Sequence, residues 1–139
     1  MSLTIVLMSS EHWPEKDAAR ALVEELHRDG GWAEALLLHC HVHRDAVTAA
    51  RWWRDQGSPV KGLGNLSVLI RAIGTANLVV VLTHQGDPDA TAARLAAQAA
   101  GVPVLLLYRG AYPFLPGDRT AHVRRTQEPP PDLQLPLAA

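Results

Sequence analysis

Residues 77–108, NLVVVLTHQGDPDATAARLAAQAAGVPVLLLY, pass from an unbroken apolar run through a polar break and an alanine-rich run to a second apolar run. Asn77 to Thr83 is β-branched and aliphatic, the composition of a strand buried on both faces. Ala90 to Ala100 reads as a helix, capped from Asp87 or Asp89 and stopped by Gly101. Val102 to Tyr108 reads as another buried strand. Two such strands joined by a helix need a crossover connection, so they run parallel and the helix packs back on them.

The same alternation extends toward the N-terminus. Leu3 to Met8 is a strand bounded by Ser9 and Ser10. Pro14, Glu15 and Asp17 suit a helix start, Ala18, Leu22, Val23 and Leu26 recur at helical spacing, and Asp29-Gly30-Gly31 ends the run. Ala33 to His39 reads as a second strand, Arg44 to Gln56 as a helix closed by Gly57-Ser58-Pro59, and Leu63 to Ile73 as a shorter helix closed by Gly74. The pattern predicts an α/β fold: a three-layer, flavodoxin- or Rossmann-like parallel sheet with helices on both faces. Numbering the four strands along the chain, the expected order is 2-1-3-4. Residues 1–110 form this α/β domain. Residues 111–139 are a Pro-rich C-terminal extension, in which Arg119 to Thr126 offers a short edge strand.

Composition bounds the function. The chain has 139 residues, 47% hydrophobic and 19% charged, a globular balance able to bury a core without staples. A formal net charge of −1 gives no field for nucleic acid or an anionic membrane, and the cluster Arg109, Arg119, Arg124 and Arg125 reads as solvated surface. A single cysteine, Cys40, excludes an intramolecular disulfide and suggests a reducing compartment. With no basic segment before Leu3 and no long apolar run, the expectation is a cytoplasmic protein without a membrane partner.

In an open parallel sheet, ligands bind outside the carboxyl ends of the strands where the order reverses. That rule gathers Ser9, Ser10, Glu11 and His12 after the first strand, and His39, Cys40, His41 and His43 after the second. It adds Thr83, His84, Asp87 and Asp89 after the third, and Arg109 and Tyr112 after the fourth. Several chemistries are open to this set. His39, His41 and His43 alternate, so an extended backbone would point all three one way as metal ligands, with His84 or Asp87 completing the sphere. The competing reading is a polar strand end with hydrogen-bonded histidines. Cys40 beside a histidine could be a nucleophile, against its reading as a small buried hydrophobe. Lys61-Gly62-Leu63-Gly64-Asn65 could place an anion at a helix N-terminus, although it matches neither phosphate-loop fingerprint. Of Trp52 and Trp53, one ring is expected on the sheet and the other at the rim, where it could serve a homodimer or partner contact.

The run Ile70 to Leu82, then Asp87-Pro88-Asp89-Ala90, Ala96 to Ala100 and Gly101-Val102-Pro103-Val104, resembles the second half of nucleoside 2-deoxyribosyltransferase-like and TIR-like domains. The resemblance implies a flavodoxin-like fold and a nucleotide-related ligand. It also implies N-glycosidic chemistry through a Glu on the helix after the acidic loop, but this chain has Ala93 and Arg94 there and Asn77 in place of the strand-opening Asp. The leading expectation is therefore a small-ligand or nucleotide-binding module with a regulatory or sensing role, using Ser9, Ser10, Glu11, His12, Thr83, His84, Asp87, Asp89 and Arg109. The alternatives are an N-glycoside or nucleotide hydrolase or transferase with Glu11 or Asp87 as the carboxylate, and a metal- or cofactor-binding protein built on the histidines. No particular cofactor is indicated.

Overall fold

The computed structural model describes residues 2–10, 17–41, 43–84, 87–109 and 122–125. Along the chain these form β1 (Thr4–Ser9), α1 (Ala18–Arg28), β2 (Leu36–Cys40), α2 (Arg44–Asp55), β3 (Val60–Leu63) and α3 (Leu66–Ala72). A 3-10 turn (Ile73–Thr75), β4 (Leu78–His84), α4 (Pro88–Ala100), β5 (Val104–Arg109) and β6 (His122–Arg125) complete them. The strands make one sheet in the order β3-β2-β1-β4-β5-β6, and every pairing is parallel. The sheet differs from the expected four-strand order 2-1-3-4 by strands added at its margins. Val60–Leu63, read as part of a turn and helix, is a strand at one margin, and His122–Arg125, inside the segment read as a short edge strand, pairs with β5 at the other.

Two cores cover the two faces, and strand parity divides them. Ile5 and Leu7, Leu37, Leu78, Val80 and Leu82, and Leu105 and Leu107 point toward α1 and α2, where they meet Ala19, Leu22, Val23, Leu26, Ala46, Ala49 and Trp53. The intervening residues point the other way. Val6, Met8, Cys40, Val79, Val81 and Leu106 meet Leu69, Ile73, Ala90, Ala93 and Ala97 from α3, the 3-10 turn and α4. Burial on both faces is why these strands read as unbroken apolar runs rather than alternating ones.

The helix ends follow ordinary chemistry. Asp87 caps α4, its Oδ1 accepting from the Asp89 amide at 3.0 Å and the Ala90 amide at 3.3 Å, with Pro88 in the first turn. Gly101 closes the helix at φ 71°, the left-handed region that glycine enters without strain. On α2, Trp53 is fully buried and its Nε1 donates to the Ala35 carbonyl at 3.0 Å, while Trp52 is half-buried against the His27 ring. The rim ring that would have served a self-association patch is thus partly covered within the chain. No helix among the described residues is long and apolar enough to cross a membrane.

Candidate functional site at the carboxyl edge of the sheet

Because all six strands are parallel, the residues that end them share one edge: Ser9, Cys40, Leu63, His84, Arg109 and Arg125. The order reverses between β1 and β4. Helix α1, which follows β1, packs on one face and α4, which follows β4, packs on the other, the arrangement at which open parallel sheets bind ligands. Ser9 stands opposite Leu82 in the register, and the Ser10 amide donates to the Leu82 carbonyl at 2.8 Å, which extends the β1–β4 ladder past the end of β1.

Parity places the expected pocket residues on different sides of the sheet. Ser9 follows Ile5 and Leu7 onto the α1–α2 face, whereas Thr83 follows Val79 and Val81 onto the α3–α4 face. They flank the reversal point and share an edge, not a wall. Ser9 is 1% exposed and its Oγ is buried with no hydrogen-bond partner. A hydroxyl in that state forgoes interactions it had in water, so its position calls for an explanation. Ser10 and Thr83 are also buried.

Asp87 is committed elsewhere. Besides the two α4 amides on Oδ1, its Oδ2 lies 3.4 Å from the Thr83 hydroxyl. A carboxylate holding a helix terminus and a hydroxyl is a poor nucleophile, so Asp87 serves as a structural cap. Asp89 sits in the first turn of α4, half-buried. His84 and Arg109 are register partners at the ends of β4 and β5. Glu11, His12 and Tyr112 lie outside the described residues. Ala93 and Arg94, at the positions where the resemblance implies a Glu, are both buried on α4.

The three-histidine metal site is not assembled. Period-two alternation needs extended backbone through residue 43, but β2 ends at Cys40 and the His43 amide turns back to the Cys40 carbonyl at 3.2 Å. His43 becomes the residue before the first turn of α2. His39 and His41 do meet, edge to face, with ring centroids 5.3 Å apart. Among the described residues no three His, Cys, Asp or Glu side chains converge in a way that could hold a metal ion. His39 is 5% exposed, and its Nδ1 is buried without a hydrogen-bond partner. Burial first, then the neighbouring charge of His41, holds its imidazole below the ordinary histidine range, against a weaker opposing pull from the Cys40 backbone. Cys40 is completely buried on the other face among apolar side chains, the setting of a packing residue rather than a nucleophile.

The anion site sought at Lys61 to Asn65 is likewise corrected. Most of that segment is β3, and the Asn65 side chain itself occupies the start of α3, accepting from the Val68 amide at 3.0 Å.

A serine–histidine pair that the sequence reading passed over joins His27 Nε2 to Ser58 Oγ at 3.0 Å. Its chemistry is fixed by the third partner. Ser58 Oγ donates its only proton to the Ala33 carbonyl at 2.5 Å, so His27 must donate through Nε2 and cannot act as a base toward that hydroxyl. The pair ties α1 to the loops flanking β2 and α2.

No protein-family model matches the chain, and no curated protein matches it in sequence.

Proposed function

We propose that the domain binds a small ligand, of the nucleotide class, in the crevice between β1 and β4, and that it works as a regulatory or sensing module rather than as an enzyme. The observation that carries this reading is the reversal of strand order at β1 and β4 with the unpartnered Ser9 hydroxyl beside it. Ser10 adds a hydroxyl at the same edge, and the phosphates of a nucleotide are acceptors for such donors, whereas the Thr83 hydroxyl already donates to Asp87. The ligand class agrees with the likeness to deoxyribosyltransferase-like and TIR-like domains, while their N-glycosidic chemistry lacks its carboxylate here.

The hydrolase reading gains nothing from Asp87, which is tied to α4, and its other carboxylate, Glu11, lies outside the described residues. The test is calorimetric titration with a panel of nucleotides and NAD, paired with thermal melting. A binder present at a hundred times its Kd stabilises the fold by about 2.7 kcal/mol, a readily visible shift. Ser9→Ala should weaken binding while leaving the fold intact. If no member of the panel binds or shifts the melt, the proposal falls; slow release of free base from a nucleoside by pure protein would replace it with the hydrolase reading.

A further inference from the structure

On the other side of β2 from the reversal point, α2 lies over the margin of the sheet. Its residues Val47, Ala50, Arg51 and Arg54 follow the i, i+3, i+4, i+7 spacing of one helix stripe. This stripe and Val60 of β3 border a cleft of about 140 Å³, whose remaining lining comes from His39 and His41. Among the described residues no carboxylate lines it. The side chains of Arg51 and Arg54 are exposed and make no ion pair among the described residues, where the pairs are Arg20–Glu24 and Arg28–Asp29.

We infer that this cleft is a binding site for a small oxyanion, a phosphate group or its equivalent, separate from the β1–β4 crevice. Two arginines lining one space without a carboxylate repel one another unless an anion lies between them. Arginine offers forked donors suited to phosphate oxygens, and the imidazoles can add two more. The buried Nδ1 of His39 already lacks a partner. Volume sets the size of the ligand. Pockets for drug-sized molecules run roughly 300–1,000 Å³, so this one suits an isolated oxyanion or the phosphate end of something larger that projects outward.

The backbone has made room for the arrangement. His39 stands opposite Gly62 in the β2–β3 register. A Cβ at residue 62 would lie 2.5 Å from Nε2 of His41 and 3.2 Å from Nε2 of His39. Only a bare Cα lets both rings lie across β3. That accounts for a glycine in a strand, where it otherwise weakens the sheet.

The experiment is calorimetric titration of the full chain at low ionic strength with inorganic phosphate, sulfate and 5′-AMP, followed by Arg51→Gln, Arg54→Gln and the double variant. Both arginines are exposed, so the variants should keep the wild-type circular dichroism and melting temperature. Phosphate and sulfate should bind, and each guanidinium removed should weaken binding about tenfold. Equal affinity for phosphate and AMP marks a free oxyanion as the ligand; tighter AMP binding marks a phosphate carried on a larger molecule. Sulfate stays dianionic across neutral pH, so its affinity should rise as pH falls below the ordinary histidine range and His39 gains its proton. Besides the two histidines, the charged residues that line the cleft among the described residues are the constantly charged Arg51 and Arg54; Val60 and Gly62 of β3 carry no charge, and Asp45 and Asp55 of α2 do not line it. Failure of both inorganic anions to bind at tens of millimolar overturns the inference. So does AMP or phosphate binding that the double variant leaves unchanged. Loss through Ser9→Ala alone would assign the anion to the crevice instead.

Discussion

Ser58 and His27 form a chain of donors that ends on a backbone carbonyl, and such a chain fails as a unit. Ser58→Ala would leave the Ala33 carbonyl unpaired in a partly buried setting and strip His27 Nε2 of its acceptor. Stranding a buried polar group costs about 1–3 kcal/mol, which urea denaturation should report as a lowered midpoint with an unchanged slope. His39 gives a pH dependence of known sign. Its folded pKa lies below the ordinary value near 6.5, so the unfolded chain binds more protons and stability rises with pH. Stability should therefore decline as pH falls below about 6.5 and level off once the folded imidazole is also protonated. Urea midpoints measured from about pH 8 to about pH 5 should show this decline in the wild type and a shallower one in His39→Gln. A wild-type profile no steeper than that of the variant would contradict the assignment. Gly62→Ala probes the neighbouring strand: the new Cβ must displace the His41 ring, and the His39–His41 contact should be lost from the imidazole NMR signals.

At the level of elements, helix α2 carries Trp53, the largest of the fully buried side chains among the described residues. Trp53 fills the space between α1, α2 and the sheet and also pairs the Ala35 carbonyl. Trp53→Ala should cost about 3–5 kcal/mol, much of the margin of a small domain, and lower the melting temperature accordingly. At α4 the expected effect is smaller: Gly101→Ala forces a side chain into the left-handed region and should cost about 1 kcal/mol. The elements differ in how plainly they were written. β1, β4 and β5 were legible because burial on both faces demands unbroken aliphatic runs, and α4 because Asp87, Pro88 and Gly101 punctuate it. β2 begins at Leu36 rather than Ala33, since the Ala35 amide turns back to the Trp32 carbonyl at 2.9 Å. β3 was illegible for a physical reason. A marginal strand with one neighbour needs little burial, and Val60-Lys61-Gly62-Leu63 follows a proline and contains a glycine, both of which read as turn. Missing β3 also hid the cleft: the spacing of Val47, Ala50, Arg51 and Arg54 is visible in the sequence, but the surface they face is not.

The whole molecule is a sheet enclosed by two helical layers, and its stability should be graded from the middle outward. β1 and β4 each have a strand on both sides and a core on both faces, whereas β3 has one neighbour and half-exposed residues. Amide hydrogen exchange should therefore be slower in β1 and β4 than in the marginal strand β3. Equal protection across all of them would indicate a single cooperative opening. The candidate site was legible at this scale only as an edge. Parallel strands bring Ser9, Ser10, His39 and Thr83 to one rim, but face, capping role and strand ending depend on residue-by-residue register that pattern alone does not reveal. The lone thiol of Cys40, shut away at the end of β2, adds a practical consequence. With no second cysteine to confuse the readout, a chromogenic thiol reagent can react only when the domain opens. The speed of that colour change becomes a built-in clock for how often the native molecule comes apart.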